Sequence, residues 1–114
     1  MIVKKLWGYE NIIVNNELYC GKILHIEKGM SGSFHYHKIK DETFYILKGS
    51  VRINYSETDK YFENSIELKE GDSFYIFPGL RHQIIGLEES DIVEFSTKDY
   101  DTDSYRVISS EHFL

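Results

Sequence analysis

The chain contains no alanine, while Ile, Val, Thr, Phe, Tyr and Trp make up forty of its 114 residues. Alanine is the strongest helix former, and those six residue types are the ones that pack best on a pleated surface, so helices are disfavoured before any pattern is read. The hydrophobic share of 41% is too high for a disordered chain, and 114 residues suit one ordinary domain with a single core. No run approaches the roughly 18 apolar residues that a spanning helix needs.

Charge narrows the partners. Thirteen Lys and Arg against nineteen Asp and Glu give a net charge of −6, with no basic stripe. Nucleic acid and anionic membrane surfaces are therefore excluded as expected partners. The lone Cys20 has no intramolecular partner for a disulfide and reads as a small apolar filler. Met1 to Leu6 carry two lysines with no apolar segment behind them, so the expected location is cytoplasmic.

No linker or repeat divides the sequence, and Pro78 is its only proline. Short β-rich runs recur at 11–14, 18–27, 33–37, 42–47, 50–55, 65–68, 73–77, 82–87, 92–97 and 105–108, about ten strands of a sandwich or barrel. Turn signals separate several of them: Lys28-Gly29, Lys48-Gly49, Glu70-Gly71-Asp72 and Pro78-Gly79. The polar stretch 56–64 reads as a hairpin loop or an irregular strand pair.

Chemistry concentrates in two places. In Phe34-His35-Tyr36-His37, residues two apart on a strand point to the same face, so His35 and His37 project together. A short connection through Lys38 to Asp41 returns Glu42 on a neighbouring strand to the same patch. Two imidazoles and a carboxylate suit a divalent first-row metal and leave coordination positions open. The fourth candidate is His82, which follows Pro78-Gly79-Leu80-Arg81.

Gly29 to Gly49 reads G-x5-H-x-H-x4-E-x6-G, which resembles the first motif of the cupin superfamily at every motif position. Gly71 to His82 resembles the second motif, with Phe77 where the first proline is usual and, beyond His82, Gly86 where asparagine is usual. The resemblance implies an all-β, single-domain double-stranded β-helix, a jelly-roll barrel with little or no helix. On that frame the core barrel spans about 18–97, preceded by a strand segment over 1–17 and followed by a tail over 98–114. It also implies one divalent metal (Mn, Fe, Zn, Ni or Co) held by His35, His37, Glu42 and His82 in the barrel mouth. Trp7-Gly8-Tyr9-Glu10 and Lys22 to Ile26 are similar to the opening of the cupin-type mannose-6-phosphate isomerases and small sugar-isomerase cupins.

The remaining polar residues divide by strand parity. Lys22 shares the parity of Leu24 and Ile26, which puts it either inside the barrel against a substrate oxygen or phosphate, or at a solvated strand end. Arg81 precedes His82 and is a candidate to hold an anionic substrate at the mouth, although alternation alone turns it away from the metal. Glu94 is one candidate general base among several. Phe44 and Ile46 share the parity of Glu42 and form an apolar inner wall, whereas Tyr36 and Tyr45 face outward. His25 reads as exterior, His112 as part of a flexible terminus, and Trp7 as a packing residue of an N-terminal strand. The aromatic load outside the barrel leads to the expectation of a homodimer.

The leading expectation is a metal-dependent isomerase or epimerase of a sugar or sugar phosphate, the metal stabilising an enediolate. An iron-dependent dioxygenase and a non-catalytic sugar- or small-molecule-binding cupin are the alternatives.

Overall fold

The structure, a computed structural model, describes residues 1–61 and 63–113. The described residues form eleven strands: β1 (Ile2–Lys5), β2 (Gly8–Asn15), β3 (Cys20–Ile26), β4 (Phe34–Tyr36), β5 (Glu42–Lys48), β6 (Ser50–Ser56), β7 (Asn64–Lys69), β8 (Ser73–Ile76), β9 (Arg81–Gly86), β10 (Ser90–Ser96) and β11 (Tyr105–Ile108). They form a six-stranded sheet in the order β1-β2-β3-β10-β5-β8 and a five-stranded sheet in the order β11-β4-β9-β6-β7, with every named pair antiparallel. The all-β jelly roll expected from composition and motif is what the chain adopts. Among the described residues no helix is long and apolar enough to cross a membrane.

Two expectations are corrected. The run at 11–14 is the end of a longer strand, and residues 2–5 pair with it as β1 to make an N-terminal hairpin. Trp7 lies in the turn of that hairpin rather than on a strand, and its ring packs against the core. The C-terminal residues form a single 3-10 turn, Ser110–Phe113, which contains His112.

The core lies between the sheets and is built by strict alternation. On β3 the buried positions are Cys20, Lys22, Leu24 and Ile26, on β5 Glu42, Phe44 and Ile46, and on β10 Ser90, Ile92 and Glu94. Register stacks these positions into rows that cross the sheet: Leu24, Ile92 and Ile46, then Lys22, Glu94 and Phe44, then Cys20, Ser96 and Glu42. Each strand therefore runs from an apolar floor to a polar mouth. Val51, Ile53 and Leu68 complete the apolar end, while Ile76, in register with Glu42, and Leu80 extend the same core towards the mouth. Outside, Tyr45, Tyr75 and Phe95 lie exposed on the opposite face of the six-stranded sheet, in the register Thr43↔Tyr75 and Phe95↔Thr43.

Gly49 closes the first motif at the β5–β6 junction with a φ of +87°. A Cβ there would lie 2.2 Å from Ser90 Oγ and 2.6 Å from the Glu89 carbonyl. Gly49→Ala is therefore expected to destabilise the fold by about 2–4 kcal/mol through backbone strain plus overpacking, read as a lower urea midpoint at unchanged slope. An unchanged midpoint would contradict this account of the junction.

Candidate metal centre

His35, on β4, is directly opposite His82, on β9, in the one registered pair that joins these strands. His37 follows β4 on the same face as His35, and Glu42 opens β5. The four side chains meet at the polar end of the barrel. The imidazole centroids are 4.4 Å apart for His35 and His82, 5.0 Å for His35 and His37, and 5.6 Å for His37 and His82. One ring nitrogen from each histidine falls within 4.8 Å of the other two.

The other ring nitrogen of each is committed. His35 Nδ1 bonds the Ser33 carbonyl at 3.1 Å, His37 Nδ1 the Asp103 carbonyl at 2.7 Å, and His82 Nδ1 the Leu80 carbonyl at 2.9 Å. A carbonyl only accepts, so in His37 and His82 Nδ1 carries the proton and Nε2 keeps a lone pair, while His35 Nδ1 also lies 2.9 Å from the Ser33 hydroxyl, which can donate or accept. Burial also holds these rings neutral: it pushes His82 down to about 3 and His35 well below the usual imidazole range, and with Lys40 it lowers His37.

Glu42 lies beside the three rings. Its Oε2 lies 3.4 Å from His37 Nε2 and 3.8 Å from His82 Nε2. That oxygen is buried and has no hydrogen-bond partner among the described residues. A buried carboxylate oxygen left without a donor is costly, and a cation facing three imidazole lone pairs would remove that cost. The donor set, three neutral nitrogens and one oxygen, fits a first-row divalent ion.

Without a cation, burial and the nearby Glu94 carboxylate push the Glu42 carboxyl up to about 8. Because this value lies above the usual one, the stabilising contribution is present at low pH and lost as pH rises through 8. For His82 the sign is opposite: stability is present above the ordinary imidazole value and lost as pH falls towards 3. Loading a divalent ion at pH 7 must therefore displace the Glu42 proton. Calorimetric titrations in two buffers of different ionisation enthalpy are expected to give roughly one proton released per ion at pH 7, declining as pH rises past 8. Release that does not decline would contradict the assignment to Glu42.

His35, His37, His82 and Glu42 line a cavity of about 320 Å³. Its wall also includes Trp7, Lys22, Lys40, Glu94, Asp99 and Tyr100. Lys22 is inside the barrel, which resolves the alternatives of the sequence reading: its Nζ lies 2.7 Å from Asp99 Oδ2 and 3.4 Å from Glu10 Oε1. Lys40 Nζ lies 2.7 Å from Glu94 Oε2 and 3.3 Å from Asp99 Oδ1. Burial alone would lower both lysines, but Glu94 and the surrounding carboxylates outweigh it and raise them. Glu94 lies in the wall next to the ligands, also accepting from Ser96 Oγ at 3.0 Å.

Arg81 is not in the wall. Its guanidinium lies 3.7 Å from the Tyr36 ring centroid, Nε donates to Asp59 and Nη1 to the Gly79 carbonyl, so alternation does turn it outward. His25 is exterior too, stacked on Tyr9 and bonded to Asp91 and Glu89. Sequence reasoning missed Asp99, Asp103, Tyr100 and Glu10 as site residues, and it placed Lys40 only in the connection from Lys38 to Asp41. Spacing held no signal for them, since Asp99 and Asp103 reach the site from the segment after β10.

The chain belongs to the cupin family: residues 22–96 match the cupin domain (Cupin_2). No curated protein matches the sequence. Among solved structures the chain is similar to KdgF from a Halomonas species, with a TM-score of 0.71 and 18% identity over 82% of this chain and 80% of that one. It is also similar to the capsular polysaccharide assembling protein CapF from Staphylococcus aureus (TM-score 0.77, 18% identity) and to oxalate decarboxylase from Bacillus subtilis (TM-score 0.78, 23% identity). Each of those two matches covers 93% of this chain but only 33% and 29% of the larger protein, so the chain spans about a third of their length. At these identities the likeness is one of fold.

Proposed function

We propose that this cupin is a metal-dependent isomerase or epimerase of a sugar or sugar phosphate. The observation that carries the reading is the convergence of His35, His37, His82 and the orphaned Glu42 oxygen on a cavity of a size that small-molecule sites occupy. His35, His37 and His82 would hold the ion through Nε2, and Glu42 through Oε2. Bound there, a divalent ion supplies Lewis acidity that polarises a substrate carbonyl.

The chain supplies the rest. Glu94 is the carboxylate in the wall suited to carry a proton between adjacent substrate carbons, and the Lys40 ammonium lies 2.7 Å from it. Lys22, held by Asp99 and Glu10, offers its ammonium N–H groups to substrate oxygens. The apolar rows beneath, Phe44 and Ile92 among them, keep water from the floor. Arg81 has no part in this scheme. A homodimer joined through the face bearing Tyr45, Tyr75 and Phe95 belongs to the same proposal.

The test is a panel of aldose and ketose monosaccharides and their phosphates, incubated in deuterated water with protein loaded with manganese, iron, cobalt, nickel or zinc. Interconversion with solvent deuterium at the carbon bonded to the carbonyl is the expected result. Saturable binding without turnover of any sugar would replace this reading with a binding module. Oxygen consumption by the iron-loaded protein would replace it with a dioxygenase.

A further inference from the structure

Two of the three imidazoles take their orientation from their own stretch of chain. The carbonyls that fix His35 and His82 belong to residues two positions earlier, Ser33 and Leu80. His37 differs, because the carbonyl that accepts its Nδ1–H belongs to Asp103, 66 residues away. Asp103 lies buried between β10 and β11, and its own amide donates to the Tyr100 carbonyl.

The carboxylate of the same residue grips the turn that follows His37. Oδ1 accepts from the Lys38 amide at 2.8 Å and the Ile39 amide at 3.2 Å, and Oδ2 from the Ile39 amide at 3.1 Å and the Lys40 amide at 3.0 Å. Three successive N–H groups on one carboxylate leave the turn little freedom to move relative to Asp103. The turn joins His37 to Lys40, whose ammonium meets Glu94, and then to Glu42. One side chain outside both sequence motifs thus fixes the distance from His37 to its remote acceptor.

We propose that Asp103 is a positioning residue of the metal centre. Its carboxylate clamps the 38–40 turn so that its carbonyl holds His37 with Nε2 towards the other ligands. The inference rests on the four-ligand reading, but its effect on His37 exists without metal. Outer partners of this kind are typically worth 10–100-fold in metal affinity. A clamp that is only structural would lower stability and leave affinity alone, and Asn15 provides that comparison. Asn15 holds the same segment at Asp99 instead, accepting from its amide at 2.9 Å and donating to its carbonyl at 3.0 Å, and among the described residues its hydrogen bonds do not reach His37 or the 38–40 turn.

The experiment compares wild type, Asp103→Ala, Asp103→Asn and Asn15→Ala by cobalt(II) titration followed by visible absorption, and by histidine 15N shifts in metal-free samples. Wild-type His37 is expected as the Nδ1–H tautomer, and Asp103→Ala as a mixture with cobalt affinity 10–100-fold weaker. Asn15→Ala is expected to bind cobalt within about twofold of wild type whatever its melting temperature. Equal affinity in wild type and Asp103→Ala, or an Nε2–H tautomer of His37 in wild type, would overturn the proposal. If Asp103→Ala does not fold, Asp103→Asn and the wild-type tautomer carry the decision. If wild type takes up no cobalt, the metal reading fails, and the tautomer shift between wild type and variant still decides the positioning role.

Discussion

Protein prepared without chelator or nickel affinity resin is expected to carry about one divalent ion per chain, and the His82→Ala variant less than about a tenth of that. His82 is buried, its Nδ1 is committed to Leu80, and its Nε2 faces Glu42 and the other rings. Removing it takes away one of three nitrogen donors and leaves a void that water alone would fill. Glu42→Gln preserves the shape of the fourth donor and removes its charge, so it is expected to weaken binding without unfolding the barrel. His25→Ala is the control, since that ring lies outside with Asp91 and Glu89 and should leave metal content unchanged. Elemental analysis of the four proteins decides the matter, and wild type that stays empty after reconstitution would remove the centre altogether.

The largest effect on stability is expected from Lys40→Met. Lys40 and Glu94 are both buried, and their charged atoms lie 2.7 Å apart. Deleting the ammonium strands the Glu94 carboxylate inside the barrel, a change that typically costs about 3–5 kcal/mol. For a chain of this size that corresponds to a melting temperature lower by roughly 10–20 °C. Lys40→Met combined with Glu94→Leu should recover most of the loss, because the apolar pair carries no unmatched charge. Thermal unfolding of the single and double variants measures both steps, and a double variant no better than Lys40→Met would argue against an unpaired charge as the cause.

Much of this site was legible in sequence because the relevant rules are local. Strand alternation put His35 and His37 on one face and sent Arg81 away from the cavity, and a five-residue step returned Glu42 to the same patch. The inner wall of Phe44 and Ile46 followed from the same parity. Lys22 was undecided because alternation gives a direction but not a depth, and depth depended on Asp99 and Glu10 arriving from elsewhere. Asp103 was invisible for a similar reason: a contact across 66 residues leaves no periodicity to read. The N-terminal hairpin was missed at β1 because Ile2–Lys5 has a single partly buried position, too little alternation to announce a strand.

The single bridge between His35 and His82 has a consequence for the life of the protein. The proposed donors come from residues 35, 37, 42 and 82, so an unfolded chain has no preformed cage for an ion. An ion that recognises only the native state shifts the folding equilibrium by mass action, by about 2.7 kcal/mol when free ion stands at a hundred times its dissociation constant. Metal supply would then govern how much of the chain escapes proteolysis, and a cell short of the ion would hold less of the protein.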